Sequence, residues 1–188
     1  MKKLGGEKQA TEHQTSDVVG LYTPEQRIRR DESRWTLVQG ILAPVQFLVF
    51  LVSLGLVIRT LTTGVGYELA TASIVLKTLF LYVIMITGAI WEKEVFGQYL
   101  LAPAFYWEDV FSFLVLALHT AYLLALFTGA LSSTALLWLA LAAYATYVVN
   151  AVQFILKLRS ARLQSASQAA ENSLRESVSA LSAGRAVA

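Results

Sequence analysis

Four stretches of this chain are long, apolar and almost free of charge, and they limit any fold it can adopt. They cover about residues 35–61, 69–91, 103–127 and 131–158. Each reaches the ~20 residues an α-helix needs to cross the hydrocarbon of a bilayer. In lipid every backbone polar group must be satisfied within the protein, so isolated stretches of this kind become helices. Gly64-Val65-Gly66 breaks the first from the second, and Thr128-Gly129 with Ser132-Ser133 marks a tight turn before the fourth. The expected fold class is therefore an all-α integral membrane protein, a four-transmembrane-helix bundle. Composition agrees, because 56% of the 188 residues are hydrophobic and only 15% are charged, against about 25% charged in soluble domains.

The segments outside the spans set the orientation. Residues 1–20 are polar with no apolar period, which predicts a disordered tail. They lack the apolar core of a cleavable signal, so the first span is expected to direct insertion. Thr23-Pro24-Glu25-Gln26 reads as an N-cap, a proline at the first helical position and a capping-box Gln, predicting a short amphipathic helix over 24–34. Lys2, Lys3, Lys8, Arg27, Arg29, Arg30 and Arg34 precede the first span, with Trp35 at the interface, and Lys157, Arg159 and Arg162 follow the fourth. The first loop region has only Arg59, and the third loop has no charge. The positive-inside rule then puts both termini, and the loop between the second and third spans, in the cytoplasm. Residues 164–188 are rich in Ala and Ser and read as a frayed helical extension followed by a tail.

That cytoplasmic loop is the chemically dense part of the chain. Between Trp91 and Asp109 the sequence WEKEVFGQYLLAPAFYWED holds Glu92, Glu94, Glu108 and Asp109 among Trp91, Phe96, Tyr99, Phe105, Tyr106 and Trp107. Glu92 and Glu94 close a helix at its negative end, which disfavours their ionised forms. Glu108 and Asp109 sit near a helix start, where ionisation is favoured. Carboxyl groups pushed toward different protonation states supply an acid and a base.

Ionisable groups inside a span default to functional hypotheses. His119 is the single histidine outside the N-terminal tail. Glu108, Ser112, His119 and Tyr122 fall on one helical stripe, with Glu108 and His119 about 16 Å apart at ~1.5 Å per residue. On the first span Gln39, Gln46 and Ser53 form a seam suited to interhelical hydrogen bonds, and Pro44 predicts a kink. Tyr144, Tyr147, Asn150 and Gln153 on the fourth either line a pocket or join helices. Lys77 is expected to snorkel toward the far interface, with a role as partner to a ligand carboxylate as the alternative.

Several chemistries are excluded. The chain has no Cys, hence no thiolate or iron–sulfur chemistry, and no phosphate-binding Gly loop or HExxH. One intramembrane His cannot supply a bis-His haem within a single chain. The basic residues form no patch or stripe of a nucleic-acid binder. Carboxylates, Tyr hydroxyls, one His and many aromatics remain, an inventory suited to proton transfer on a flat apolar molecule.

LYTPEQRIRRDESRW, WTLVQGILAPVQFLVFLVSLGLVIR, WEKEVFGQYLLAPAFYWEDV, LALHTAYL and AAYATYVVNAVQFILKLR together resemble the 3-vinyl bacteriochlorophyllide hydratase family of photosynthetic bacteria. The resemblance covers about residues 21–163. It implies addition of water to the C3-vinyl group of chlorophyllide a or 3-vinyl bacteriochlorophyllide a, giving a 1-hydroxyethyl product on the way to bacteriochlorophyll a. It implies a multi-pass protein of the bacterial inner, intracytoplasmic photosynthetic membrane, surrounded by lipid. Other bacteriochlorophyll-synthesis enzymes are implied as partners, and no cofactor is needed beyond the magnesium carried by the substrate.

The residues then take expected roles. Glu92 or Glu94 protonates the vinyl group, and Glu108 or Asp109 is the base or positions water. His119 ligates the chlorin magnesium with Tyr122 beside it. Trp91, Trp107, Tyr106, Tyr147 and Asn150 line the pigment, and Lys93 and Arg34 meet its propionate. A rival class, a non-catalytic tetrapyrrole-binding or pigment-handover protein, needs the His and aromatics but not four acids. A structural membrane protein needs polar seams but no pocket. The heptad-like seam on the first span permits a homo-oligomer without requiring one.

Overall fold

The computed structural model describes residues 21–186, with side chains to residue 178. The tail expected over 1–20, with Lys2, Lys3 and Lys8, lies outside the described residues. Five helices follow in order: α1 (Pro24–Glu32), α2 (Arg34–Thr63), α3 (Tyr67–Phe96), α4 (Tyr106–Thr128) and α5 (Ser133–Ala186). The last four are long and apolar enough to cross a membrane.

Local chemistry explains the boundaries. Thr23 caps α1 as the sequence predicts, its hydroxyl accepting from the Gln26 amide at 3.2 Å while Gln26 Oε1 accepts from the Thr23 amide at 2.9 Å. Ser33 ends α1 and caps α2, accepting from the Trp35 amide at 3.2 Å. α2 runs unbroken through Pro44. The turn into α3 places Gly64 and Gly66 at φ +71° and +94°, a left-handed region that side chains disfavour. α4 starts at Tyr106, later than the expected position near 103, because the Phe105 amide bonds to the Ala102 carbonyl at 2.7 Å and closes a turn first. The fourth span is expected to end near 158, but its helix continues to Ala186. A helix of 54 residues is about 81 Å long, far beyond the ~30 Å of hydrocarbon, so its last part extends outside. Arg27 on α1 donates to Gln168 on this extension at 2.8 Å.

The bundle is two hairpins. α2 packs along α3 and α4 along α5, while contact between the two hairpins is sparser. The side-chain distribution is inverted relative to a soluble domain. Leu37, Ile41, Leu48, Val52, Leu79, Ile86, Leu124 and Phe127 face outward, whereas Gln46, Ser53, Lys77, Thr78, Ser112 and His119 are buried. Lipid tails accept apolar side chains as readily as a core does, so polar groups concentrate where helices meet.

Those groups tie the helices together. Gln39 Nε2 donates to Thr87 at 2.7 Å, Ser53 bonds Ser73 at 2.7 Å, and Tyr82 bonds Thr120 at 2.9 Å. The Ser53 hydroxyl also bonds the Tyr144 hydroxyl, joining one hairpin to the other. Lys77 corrects the snorkelling expectation. It is fully buried and points into the bundle, because the rotation of α3 puts it on the inner face.

Tyr144→Phe removes the Ser53 bridge and should destabilise the bundle by about 0.6 kcal/mol, the average for such bonds in membranes. Ser53→Ala should cost a similar amount, and the double variant less than the sum. Reversible unfolding in mixed micelles measures all three.

Candidate active site

The α3–α4 connection folds back over the end of the bundle and brings acids from both helices together. Glu92 on α3 and Asp109 on α4 are buried, at 5% and 3% exposure, and their carboxyl groups are in side-chain hydrogen-bond contact. Two buried carboxyl groups this close ionise together only at a cost, which favours one proton shared between them. Backbone amides complete the arrangement. The Leu101 amide donates to Asp109 Oδ2 at 2.7 Å, and the Ala102 amide donates to Glu92 Oε2 at 3.3 Å. Leu101 sits at φ +60°, a left-handed conformation that costs a leucine roughly 1–2 kcal/mol. The Asp109 bond holds it there.

Glu108, also buried, takes a different partner. Lys157 on α5 donates to its Oε2 at 2.7 Å, with the ammonium 5.2 Å from the Phe105 ring centre. Glu94 is exposed and accepts from the Ser33 hydroxyl at 3.0 Å. The helix-end argument grouped Glu92 with Glu94 and Glu108 with Asp109. The contacts group them otherwise, across helices, because Glu92 and Asp109 face the α3–α4 interface and Glu94 turns outward.

Aromatic residues wall the acids. Trp91, Phe96 and Phe105 meet edge to face with ring centres 5.7–5.8 Å apart, and Phe154 stacks on Phe105 at 5.9 Å. Trp91 Nε1 donates to Thr36 at 2.9 Å. Tyr106 and Trp107 stand apart from this wall. They are exposed on the outer surface, in contact with each other. Lys93 and Arg34 are exposed as well, with Lys93 donating to the Gly97 carbonyl at 2.8 Å. Sequence reasoning overlooked Lys157 and Phe154. Their signal was helical spacing on α5, where Asn150, Phe154 and Lys157 recur at offsets of four and three.

From the acids a polar seam runs inward. The predicted stripe on α4 is buried throughout: Glu108, Ser112, His119 and Tyr122. Asn150 Nδ2 donates to Ser112 at 2.8 Å. Deeper, His119 Nδ1 bonds the Val115 carbonyl at 2.8 Å, which requires that nitrogen to carry a hydrogen. Its Nε2 bonds Lys77 Nζ at 2.6 Å. Neither ring nitrogen then has a free lone pair, so ligation of magnesium by His119 requires the Lys77 contact to break first. The Lys77 ammonium lies 4.2 Å from the Tyr147 ring centre and 5.3 Å from that of Tyr144.

This arrangement can deliver one proton from a water-poor acid pair and accept one back. The chain's relatives agree with such chemistry. Residues 22–160 match the profile of 2-vinyl bacteriochlorophyllide hydratases. The 2-vinyl bacteriochlorophyllide hydratase of Cereibacter sphaeroides is 71% identical over 143 residues, 76% of this chain and 89% of the relative. That of Rhodobacter capsulatus is 70% identical over 148 residues, 79% of this chain and 86% of the relative. The 2-vinyl and 3-vinyl names differ only in wording. No solved structure matches. The chain belongs to the 2-vinyl bacteriochlorophyllide hydratase family.

Proposed function

We propose that this chain adds water to the vinyl substituent of a bacteriochlorophyllide, using the Glu92–Asp109 pair as its proton-handling group. Family membership supports the activity. The single observation that carries the site is the buried contact between those two carboxyl groups, walled by Trp91, Phe96 and Phe105.

The shared proton sits on Glu92, because Asp109 has the shorter backbone bond and is the better stabilised anion. Glu92 gives this proton to the terminal vinyl carbon. The π electrons form the new C–H bond and leave a cation on the carbon beside the ring, delocalised into the macrocycle. Water attacks that carbon, and its surplus proton passes to Asp109. One proton leaves the pair and one returns, so the pair ends as it began. Glu108 stabilises the cation electrostatically, and Lys157 keeps Glu108 oriented. The magnesium comes with the pigment, and no other cofactor takes part. Tyr147 and Asn150 line the seam that the ring occupies, with Tyr122 at its inner end.

The same reading puts both termini and the α3–α4 connection on the cytoplasmic side of the bacterial inner, photosynthetic membrane. The basic residues beside α2 and after α5 support it. The alcohol product is then released toward the other enzymes of the pathway.

Three outcomes test this reading. Glu92→Gln and Asp109→Asn should each lower hydration about 10²-fold or more, the usual contribution of a positioned acid or base, whereas Glu94→Gln should stay near wild type. The assay is the gain of one water in pigment mass after incubation with membranes. Full hydration in both Glu92→Gln and Asp109→Asn would overturn the acid–base role of the pair. Activity should also fall as pH rises, since the first step consumes the proton that the pair loses in alkali, and Glu94→Gln should keep that profile. Because the chain has no Cys, single cysteines report topology. Gln98→Cys should react with a membrane-impermeant maleimide only in inverted vesicles, and Ser132→Cys only in right-side-out ones.

A further inference from the structure

Lys77 is the least explained charge in the bundle. It has no exposed surface and no carboxylate partner among the described residues. Its polar partner is the His119 Nε2, and the Tyr144 and Tyr147 rings cover its remaining sides. A histidine that bonds a carbonyl through Nδ1–H is neutral and supplies no counter-charge. Burial without an anion favours the neutral amine until an anionic ligand arrives to pair with it, and in membrane proteins such groups mark ligand or ion sites.

The path from the acids to Lys77 carries further unmet hydrogen-bonding capacity. Gln46 Oε1 on α2, and Asn150 Oδ1 and Gln153 Oε1 on α5, are buried without a partner among the described residues. Gln46 is itself only 2% exposed. In chain order Asn150 and Gln153 fall between Tyr147, which touches Lys77, and Lys157, which holds Glu108. Gln46 belongs to the first hairpin and Asn150 and Gln153 to the second, and contact between the hairpins is sparser than within them.

We propose that Lys77, oriented by His119, is the counter-ion for the carboxylate of the substrate. This assignment rests on the tetrapyrrole reading above and deepens it. A chlorophyllide is a free acid whose vinyl group and propionate sit on neighbouring pyrrole rings, at the two ends of one edge of the macrocycle. From Asp109 to His119 is ten residues of α4, about 15 Å, the scale of one tetrapyrrole. A flat pigment entering between the hairpins thus meets the acid pair with its vinyl group and Lys77 with its carboxylate. Docking of the two ends fixes which substituent reaches Glu92. Lys77 is a positioning residue, acting on substrate orientation rather than on the reacting carbon. The exposed Arg34 and Lys93 at the interface are the competing partners for the same carboxylate.

The test compares the free-acid vinyl pigment with its methyl ester, which has the same ring but no anion. Binding to membranes containing the full chain is read from the pigment absorption band, separately from product mass. Wild type should bind the acid about 10- to 100-fold more tightly than the ester, the range of a charge-assisted bond. Lys77→Met should abolish that preference while leaving ester binding near wild type, and Lys77→Arg should restore part of it. The paired Arg34→Gln, Lys93→Gln variant should keep the preference. Equal binding of acid and ester by wild type overturns the proposal without any variant. So does a Lys77→Met variant that weakens both ligands equally, or a preference lost only in the Arg34, Lys93 variant. Loss of preference in Lys77→Met supports the assignment even if wild type adds no water to the pigment, an outcome that would sink the hydratase reading alone.

Discussion

Hydrocarbon offers no hydrogen-bond partner, so a polar side chain on one of these helices must find its partner on another. The rest of the structure depends on that constraint. It turns the apolar faces of α2 to α5 outward and collects Gln46, Ser53, Lys77, Ser112 and His119 where the helices meet. Individual bonds of this kind contribute little, about 0.6 kcal/mol on average. Their effect is to specify rotation and register, since a helix turned by one residue would leave several of them unpaired. The polar interior that results from insertion is also the one place in the membrane where acid–base chemistry can be held away from water.

The spans were legible because their signal is length and the absence of charge, which lipid imposes directly. The stripe of Glu108, Ser112, His119 and Tyr122 was legible because helical period alone puts those positions on one face. A helical extension of α5 beyond 158 was legible from its composition, but not how far it runs, because Ala, Gln, Arg and Glu favour helix without any hydropathy signal. Lys77 was read the wrong way round. Its direction depends on how α3 is rotated against α4, and no single helix carries that information. The helix ends separated candidate acids from candidate bases but could not show which of them meet. Helix dipoles contribute roughly 0.3–1 kcal/mol at a terminus, whereas leaving a buried carboxyl without a partner costs more, so the cross-helix contact decides.

The two hairpins divide structure from function. Within each hairpin, helices pack along their lengths and hold shape. Between them lie the thinner contacts, the Glu92–Asp109 pair, the Lys77–His119 pair and the orphaned amide oxygens. A planar ligand as large as a tetrapyrrole needs a slot with two walls, and a seam between two stiff units opens with less loss of packing than a helix pair does. The seam's polar groups are satisfied well enough to close without the ligand and poorly enough to exchange partners with it.

The loop over the acids links their protonation to backbone shape. Leu101 at φ +60° stays in place because its amide reaches Asp109, and Ala102 reaches Glu92 in the same turn. While the pair shares one proton, the carboxyl groups attract each other and the turn is held over both. If that proton leaves, two anions face each other in a site walled by Trp91, Phe96 and Phe105, and repulsion drives them apart. The left-handed Leu101 marks the point where the acid pair bears on the loop that covers it. A leucine there, in place of the glycine that the conformation favours, makes the turn depend on the acids beneath it.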